Sequence, residues 1–321
     1  MSAFDDWVDQ SRAWHRDIRV IPDPQVELCT RFADQIDPEI AFGRYAGQRR
    51  WETLADVPSQ EIKDELLKLI VSQADSEVRA VEQARELYDS APTEHDRRRL
   101  ERHMTEETRH GWQMAYLLVT YFGEDGRTAA RELLERRATR GEAQLEMFNI
   151  RLNWVDVFSW HNWGDRVGKY QLTMFGGCGF APFARSITPM LKEEGFHLVI
   201  GHQGLQRIAA AGRVPVELHQ KYLNRMMWIC YDAFGGAESR RAARIHDWGL
   251  KAPWVPGVEP LRANEQARAA FIAEVRKLLR LIDPRLTLPD PKGPKENLPT
   301  EADEAALLEI LRTPGWIAAA A

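Results

Sequence analysis

The sequence predicts an all-α protein built on a bundle of long helices. Three observations carry that expectation. Apolar residues recur at a spacing near 3.6 through several long runs, as in helices that bury one face. Glycine and proline fall mainly between those runs, where they punctuate the chain. No segment alternates apolar and polar residues as a half-buried strand does. The 321 residues, 44% hydrophobic and 28% charged, can bury a large core, which excludes a chain disordered throughout or a fibrous one.

The elements follow in order. Residues 1–57 bear Pro, Asp and Trp with weak periodicity and read as an N-terminal wrapping segment. The helical bundle is expected over 58–236. Pro58 and Ser59 suit a helix start, so the first long helix runs from Gln60 to about Tyr88. The break Ser90-Ala91-Pro92-Thr93 follows, and Thr93 with Asp96 resembles a capping arrangement for a second helix. That helix runs to about Phe122 and stops at Gly123. A shorter one covers roughly Arg127 to Gln144. The third long helix begins near Trp154 and ends at Gly176, Gly177 and Gly179. The fourth starts after Pro182 and ends at Gly212, with Pro189 implying a kink or a late start. The fifth spans Pro215 to Phe234, where Gly235 and Gly236 stop it. Residues 237–321 are expected to hold C-terminal helices and a Pro-rich strap from Leu286 (LTLPDPKGPKENLP), closed by a short helix from Glu301 to Leu311.

Charge and cysteine usage narrow the setting. A net charge of -5 and a pI near 6.0 argue against nucleic acid as a partner, since phosphate binding usually needs a basic excess. No apolar stretch approaches the ~20 residues of a membrane span. The start, MSAFDDWVDQSRAWHRD, is polar and acidic and does not read as a signal peptide. Cys29, Cys178 and Cys230 are an odd number without a CxxC, which disfavours a disulfide scaffold or zinc ribbon. A cytoplasmic protein is the expectation.

The chemistry lies in the inward stripes of the helices. Each of four long helices carries an apolar stripe interrupted near its middle by a carboxylate: Glu77, Glu107, Asp165 and Glu194. A buried carboxylate without a partner is costly, and four aimed at one core call for cations. Two of them have a histidine three residues later, giving Glu107-Thr108-Arg109-His110 and Glu194-Gly195-Phe196-His197. Residues at i and i+3 share a helix face, so each Glu and His can reach one ion. Of nine histidines only these two have a Glu at i−3. Glu77 precedes Glu107 by 30 residues, and Asp165 precedes Glu194 by 29. Two carboxylate helices and two Glu-x-x-His helices are the ligand set of ferritin-like di-iron carboxylate bundles. The candidate metal ligands are therefore Glu77, Glu107, His110, Asp165, Glu194 and His197. Carboxylates with imidazoles suit iron or manganese, so manganese–iron and di-manganese centres stay open beside two iron ions. Glu106 and Glu193 are the competing register. The i+3 spacing favours Glu107 and Glu194 and leaves their neighbours free to turn outward. Several weaker features stand beside these. His161, one turn before Asp165, reads as a core histidine or an outer partner of the metal site. His202 reads as structural or exposed. Gly176, Gly177 and Gly179 either admit a substrate close to the backbone or simply end a helix. The basic runs Arg97, Arg98, Arg99, Arg102 and Arg240, Arg241, Arg244 read as solvated faces, or as phosphate contacts if they flank a pocket.

At these residues the chain resembles a known family. DRVGKYQL from Asp165, PFARSITPMLKEEGFH from Pro182 and the Ser76-Glu77 pair are similar to the bacterial aryl-CoA epoxidases, over about Pro58 to Phe234. That family comprises the catalytic subunit of phenylacetyl-CoA epoxidase and the oxygenase of benzoyl-CoA 2,3-epoxidase. The resemblance implies a di-iron monooxygenase that uses O2 and electrons from a separate reductase to epoxidise the ring of an aryl-CoA thioester. It places Glu77, Glu107 and His110 on one iron and Asp165, Glu194 and His197 on the other, with Glu107, and Glu194 as the second candidate, bridging. All six being present separates the chain from the scaffold subunit of the phenylacetyl-CoA system. A sister subunit or a second copy of the chain is a further expected partner. Buried Met114, Phe158, Trp160 and Phe175 would keep the site dry and seat a ring. Two other readings remain open on the residues alone. One is a hydroxylase, N-oxygenase or desaturase on the same core and a non-CoA substrate. The other is a metal-binding scaffold subunit.

Overall fold

The computed structural model describes residues 2–320. It is all-α: helices account for its regular structure, and among the described residues the only β contacts are the isolated bridges Glu39–Arg49 and Trp51–Phe180. The helices are α1 (Ala3–Ile18), α2 (Gln60–Leu87), α3 (Glu94–Tyr121), α4 (Gly123–Glu135), α5 (Trp154–Ser159), α6 (Asp165–Phe175), α7 (Ala181–Ala211), α8 (Val216–Ala233), α9 (Arg240–Asp247), α10 (Ala263–Ile282) and α11 (Glu301–Leu311). Among the described residues no helix is long and apolar enough to cross a membrane. The three cysteines are free. The chain forms two compact units. The first is 1–151 with 172–193 and 244–252; the second is 152–171 with 194–243 and 253–321.

In the first unit α2 and α3 are the long antiparallel pair. Ser59 caps α2 by accepting from Ile62 N, and Thr93 caps α3 by accepting from Asp96 N, so both starts fall where the sequence places them. The helices approach closely at Gly111, where a Cβ would stand 3.2 Å from Val78 Cγ2. The wrapping segment contains a helix that the weak periodicity concealed. In α1 a capping box joins Ser2 and Asp5, and Trp7, Val8, Ser11 and Trp14 share the buried face. Trp7 Nε1 donates to Ala130 O at 2.7 Å, and Trp112 Nε1 donates to Ser11 Oγ at 2.9 Å. These bonds dock α1 on α4 and α3.

Two departures from the expected helices have a tertiary cause. The helix expected over Arg127–Gln144 instead covers Gly123–Glu135. Its last carbonyls are taken by buried Arg79, which donates to Leu133 O and, at 2.6 Å, to Arg136 O. Asp75 then accepts from Gln144 N at 2.7 Å, so polar groups of α2 satisfy a backbone that would otherwise continue as helix. Pro189 neither delays nor ends α7, which starts at Ala181 and runs through it. Proline removes the donor to the carbonyl four residues back. That carbonyl, Arg185 O, accepts instead from Ala33 N of the wrapping segment at 2.9 Å.

In the second unit the helix begun at Trp154 does not run regularly to its glycines. It opens into a π turn, Trp160–Gly164, between α5 and α6. The C-terminal half of α7 lies against this turn through Gly201 and against Phe158 of α5 through Gly204. The Pro-rich strap is extended along α8: Gln220 Nε2 donates to Thr287 O (2.7 Å), Tyr231 OH to Pro289 O (3.1 Å) and Asn224 Nδ2 to Asn297 O (3.1 Å). Helix α11 matches its expected bounds and is tied to α8 by Lys221–Asp303 (2.8 Å) and Arg225–Glu304 (2.9 Å).

One buried histidine on α8 sets a pH dependence. Burial, with Arg285 adding to it and Asp283 opposing, pushes His219 down from 6.5 to about 4. Between those values the unfolded chain binds a proton that the folded chain refuses. Stability is therefore full above pH 6.5 and falls as pH drops toward 4, by up to roughly 3 kcal/mol from this group. Denaturant melts of His219→Gln should show a shallower loss between pH 6.5 and 4; an unchanged slope would exclude His219 as its source.

Candidate metal centre

In the first unit, α2 and α3 bring Glu77, Glu107 and His110 together, with one ligand atom from each within 4.8 Å of the others. Two donors bound to one first-row ion at about 2.0–2.2 Å can be no more than about 4.4 Å apart. A contraction of a few tenths of an ångström therefore suffices. All three side chains are buried. His110 Nδ1 faces Glu77 Oε2 at 3.5 Å. Burial pushes the Glu77 carboxyl up, but hydrogen bonds from Glu107, His110 and Gln73 and the His110 charge hold it below its ordinary value. The carboxylate form is the one a cation needs.

The same unit supplies the orienting groups. His110 Nε2 lies 2.9 Å from Glu193 Oε2. Burial raises the Glu193 carboxyl, but His110 and then Arg109 bring it down to about 2, so it is ionised and can only accept. A His110 that ligates a cation through Nδ1, toward Glu77, would keep its proton on Nε2, where Glu193 accepts it. Glu193 is itself held by Arg109 Nη2 at 2.7 Å and Arg31 at 3.5 Å. A cleft of about 1370 Å³ opens on it. The cations of that cleft, Arg31, Arg102, Arg109 and Lys192, are matched by carboxylates such as Glu27 and Glu106, so it is no simple anion cradle. His103, one turn before Glu107, lies with Nδ1 3.7 Å from its Oε1.

The second unit repeats the arrangement. Asp165 on α6 and Glu194 and His197 on α7 also offer one ligand atom each within 4.8 Å. His197 Nδ1 lies 3.3 Å from Glu194 Oε2 and 3.8 Å from Asp165 Oδ2. In both trios, then, it is the Nδ1 atom that faces the carboxylates. The His161 ring stacks on that of His197 with centroids 5.9 Å apart. Burial, then the His197 charge, pushes His161 down to about 3, which keeps it neutral. His202 is half-buried.

The neighbours of the ligands do not turn outward as the spacing implied. Glu106 is buried and accepts from Arg102 Nε at 2.9 Å, and Glu193 is the outer partner of His110. Sequence reasoning set Glu193 aside as an outward-turning neighbour and passed over His103. The first stands at i−1 to a candidate ligand, where helical phase points it elsewhere. The second was signalled by its i−4 spacing from Glu107. Gly177 and Gly179 are closed by packing: a Cβ on Gly177 would stand 2.5 Å from Ala252 Cβ, and one on Gly179 2.9 Å from Ile40 Cδ1. Arg97 and Arg98 pair with Glu94, as on a solvated face.

The outer carboxylate carries a prediction. Glu193→Gln places an amide where an acceptor is required and releases the His110 tautomer. Metal affinity of the Glu77 trio should fall by about 10–100-fold. Competition against a chelator measures it, and wild-type affinity would remove Glu193 from this role.

No family model matches the chain. Its sequence is 35% identical, over 237 residues, to benzoyl-CoA oxygenase component B of Aromatoleum evansii. The alignment covers 67% of this chain and 49% of that protein, so the chain spans about half the length of the curated relative it matches. With that identity over two thirds of its residues, this chain belongs to the aryl-CoA oxygenase family.

Proposed function

We propose that the chain is the metal-carrying subunit of an oxygenase that uses O2 and electrons from a separate reductase to epoxidise the ring of an aryl-CoA thioester of the benzoyl or phenylacetyl type. The observation that carries this reading is the pair of matching buried trios in a chain of this family. Glu77, Glu107 and His110 would hold one iron ion, and Asp165, Glu194 and His197 would hold the other. Oxygen donors with one imidazole per ion suit iron, and the absence of cysteine from both trios disfavours a thiolate metal. When bound, an iron pair would take up electrons delivered by the reductase and activate O2, chemistry that no side chain provides.

The residues of the chain do the rest. The four carboxylates would balance the charge of the ions. Glu193 keeps the His110 proton on Nε2 and so keeps Nδ1 available. Phe158 and Trp160, buried in the second unit like Asp165, would exclude water and offer an aromatic ring an apolar surface. The relative's name, a component B of a benzoyl-CoA oxygenase, supports both the thioester and a multi-component system.

The test is metal analysis of the pure chain, followed by reduction and exposure to O2 with benzoyl-CoA or phenylacetyl-CoA. About two irons per chain and O2 uptake raised by an aryl-CoA, with an oxygenated thioester recovered, are expected. Two irons with no response to any CoA thioester would move the function to another chemistry. Absence of bound metal after anaerobic loading with ferrous iron would overturn the ligand assignment.

A further inference from the structure

Asp165 differs from the other candidate ligands in its backbone setting. It is the first residue after the π turn Trp160–Gly164. Such turns are rare, and their wider hydrogen bonding persists where the surroundings impose it. Here the second unit imposes it from two sides. Gly201 of α7 presses on one side, so closely that a Cβ there would stand 2.2 Å from Asn162 N and 2.6 Å from His161 C. On the other, Arg166 donates through Nε to Asn162 O and through Nη2 to Asn162 Oδ1, both at 3.2 Å. Both residues are buried.

The Arg166 charge is met by one carboxylate from outside the helices that bear the ligands. Glu274 of α10 accepts from Arg166 Nη1 at 2.6 Å. It also accepts from Tyr170 OH at 2.9 Å and lies 3.2 Å from Lys169 Nζ. Three donors within the five residues after Asp165 thus converge on Glu274. Fastening α10 alone does not require this cluster. Phe271 already packs its ring against Tyr170 and Phe234, with centroids 6.1 and 5.4 Å apart. A buried guanidinium without a counter-charge is strongly destabilising, so Arg166 can stay folded onto the π turn only while Glu274 faces it.

We propose that Glu274 is a positioning residue for Asp165, acting through Arg166 to hold the π turn in the register that aims the Asp165 carboxylate at His197. This rests on reading Asp165, Glu194 and His197 as metal ligands. A helix of the C-terminal region thereby sets the geometry of one of the two metal positions. Loss of Glu274 leaves all six ligands in the chain but loosens the second trio selectively.

Titration of the metal-free full chain with cobalt(II) tests this, because visible absorption reports both affinity and coordination geometry. The wild type is expected to take up two ions. Glu274→Gln, nearly isosteric but uncharged, should bind one of them about 10–100-fold more weakly, with a changed visible band. Glu274→Asp, which restores the charge, should recover most of the affinity. Phe271→Leu loosens the packing of α10 without touching Arg166, and should lower the melting temperature while leaving both bands intact. Two wild-type cobalt sites in Glu274→Gln would overturn the proposal, as would a Phe271→Leu band changed as much as that of Glu274→Gln. A wild type that binds no cobalt and no iron would instead remove the metal reading on which it stands.

Discussion

Replacing Glu107 by glutamine should abolish the oxygenase activity proposed for the chain while making the metal-free protein more stable. Glu107 belongs to a buried trio in which it shares a hydrogen bond with Glu77 and lies near His103. Without a cation, that bond requires a proton on one of the two carboxyls, because two neighbouring buried carboxylates repel and each has lost its hydration. Glutamine keeps the shape and donates the same bond without a proton having to be taken up. The metal-free chain should gain on the order of 1 kcal/mol, because the amide supplies the donor without the cost of bringing two carboxyls together. The loaded enzyme responds oppositely. An amide is a poor bridging ligand, and groups that act as a unit fail together, so turnover should fall by roughly a thousandfold or more. Calorimetry of the metal-free protein and an oxygen electrode give the two signs. A metal-free protein destabilised by several kcal/mol would mean that Glu107 is a packing residue, and retained turnover would remove it from the centre.

The second large effect is expected at a residue with no side chain. Gly201 sits one turn after His197, and Gly204 follows on the same helix. A Cβ on Gly201 would meet the backbone at Asn162 N at 2.2 Å, and one on Gly204 would meet the Phe158 ring at 2.0 Å. Real Cβ contacts are never so short, and backbone cannot rotate away as the end of a side chain can. Gly201→Ala must therefore push α7 from the π turn. That displacement separates Glu194 and His197 from Asp165, so stability and metal binding should fail together. Overpacking of this kind costs about 1–3 kcal/mol, and more where backbone must move. Thermal melts with and without ferrous iron measure both parts. A variant that melts like the wild type would show that α7 can shift freely there. On an exposed helical surface the same substitution would stabilise by up to ~1 kcal/mol, which gives the prediction a definite sign.

Much of this protein is written locally. Ser59 and Thr93 announce their helices because a hydroxyl just before an apolar run has a backbone N–H to accept from. Glu107 with His110, and Glu194 with His197, are legible because i+3 spacing on a helix needs no tertiary information to become proximity. The helix α1 was legible in principle, from the Ser2–Asp5 capping box and the spacing of Trp7, Ser11 and Trp14, but its many polar residues masked the stripe. What depends on a distant segment stayed hidden. Helix α4 ends early because Arg79 and Asp75 of α2 take over the backbone beyond it. Helix α7 passes through Pro189 because Ala33 N finds the abandoned carbonyl. Helical phase turned Glu193 away from its neighbour Glu194, yet α3 brings His110 to it, and the histidine tautomer follows from that meeting.

The sequence by itself determined the all-α class, most helix starts and the six candidate ligands in two matching groups. Each of those rests on spacing within one helix or on a cap adjoining it. Only the tertiary structure decided the π turn before Asp165, the glycines that admit α7 to it, and the orienting groups Glu193, Arg166 and Glu274. These are contacts between residues 30 to 110 positions apart, made by hydrogen bonds and close packing that leave no periodic trace in the chain.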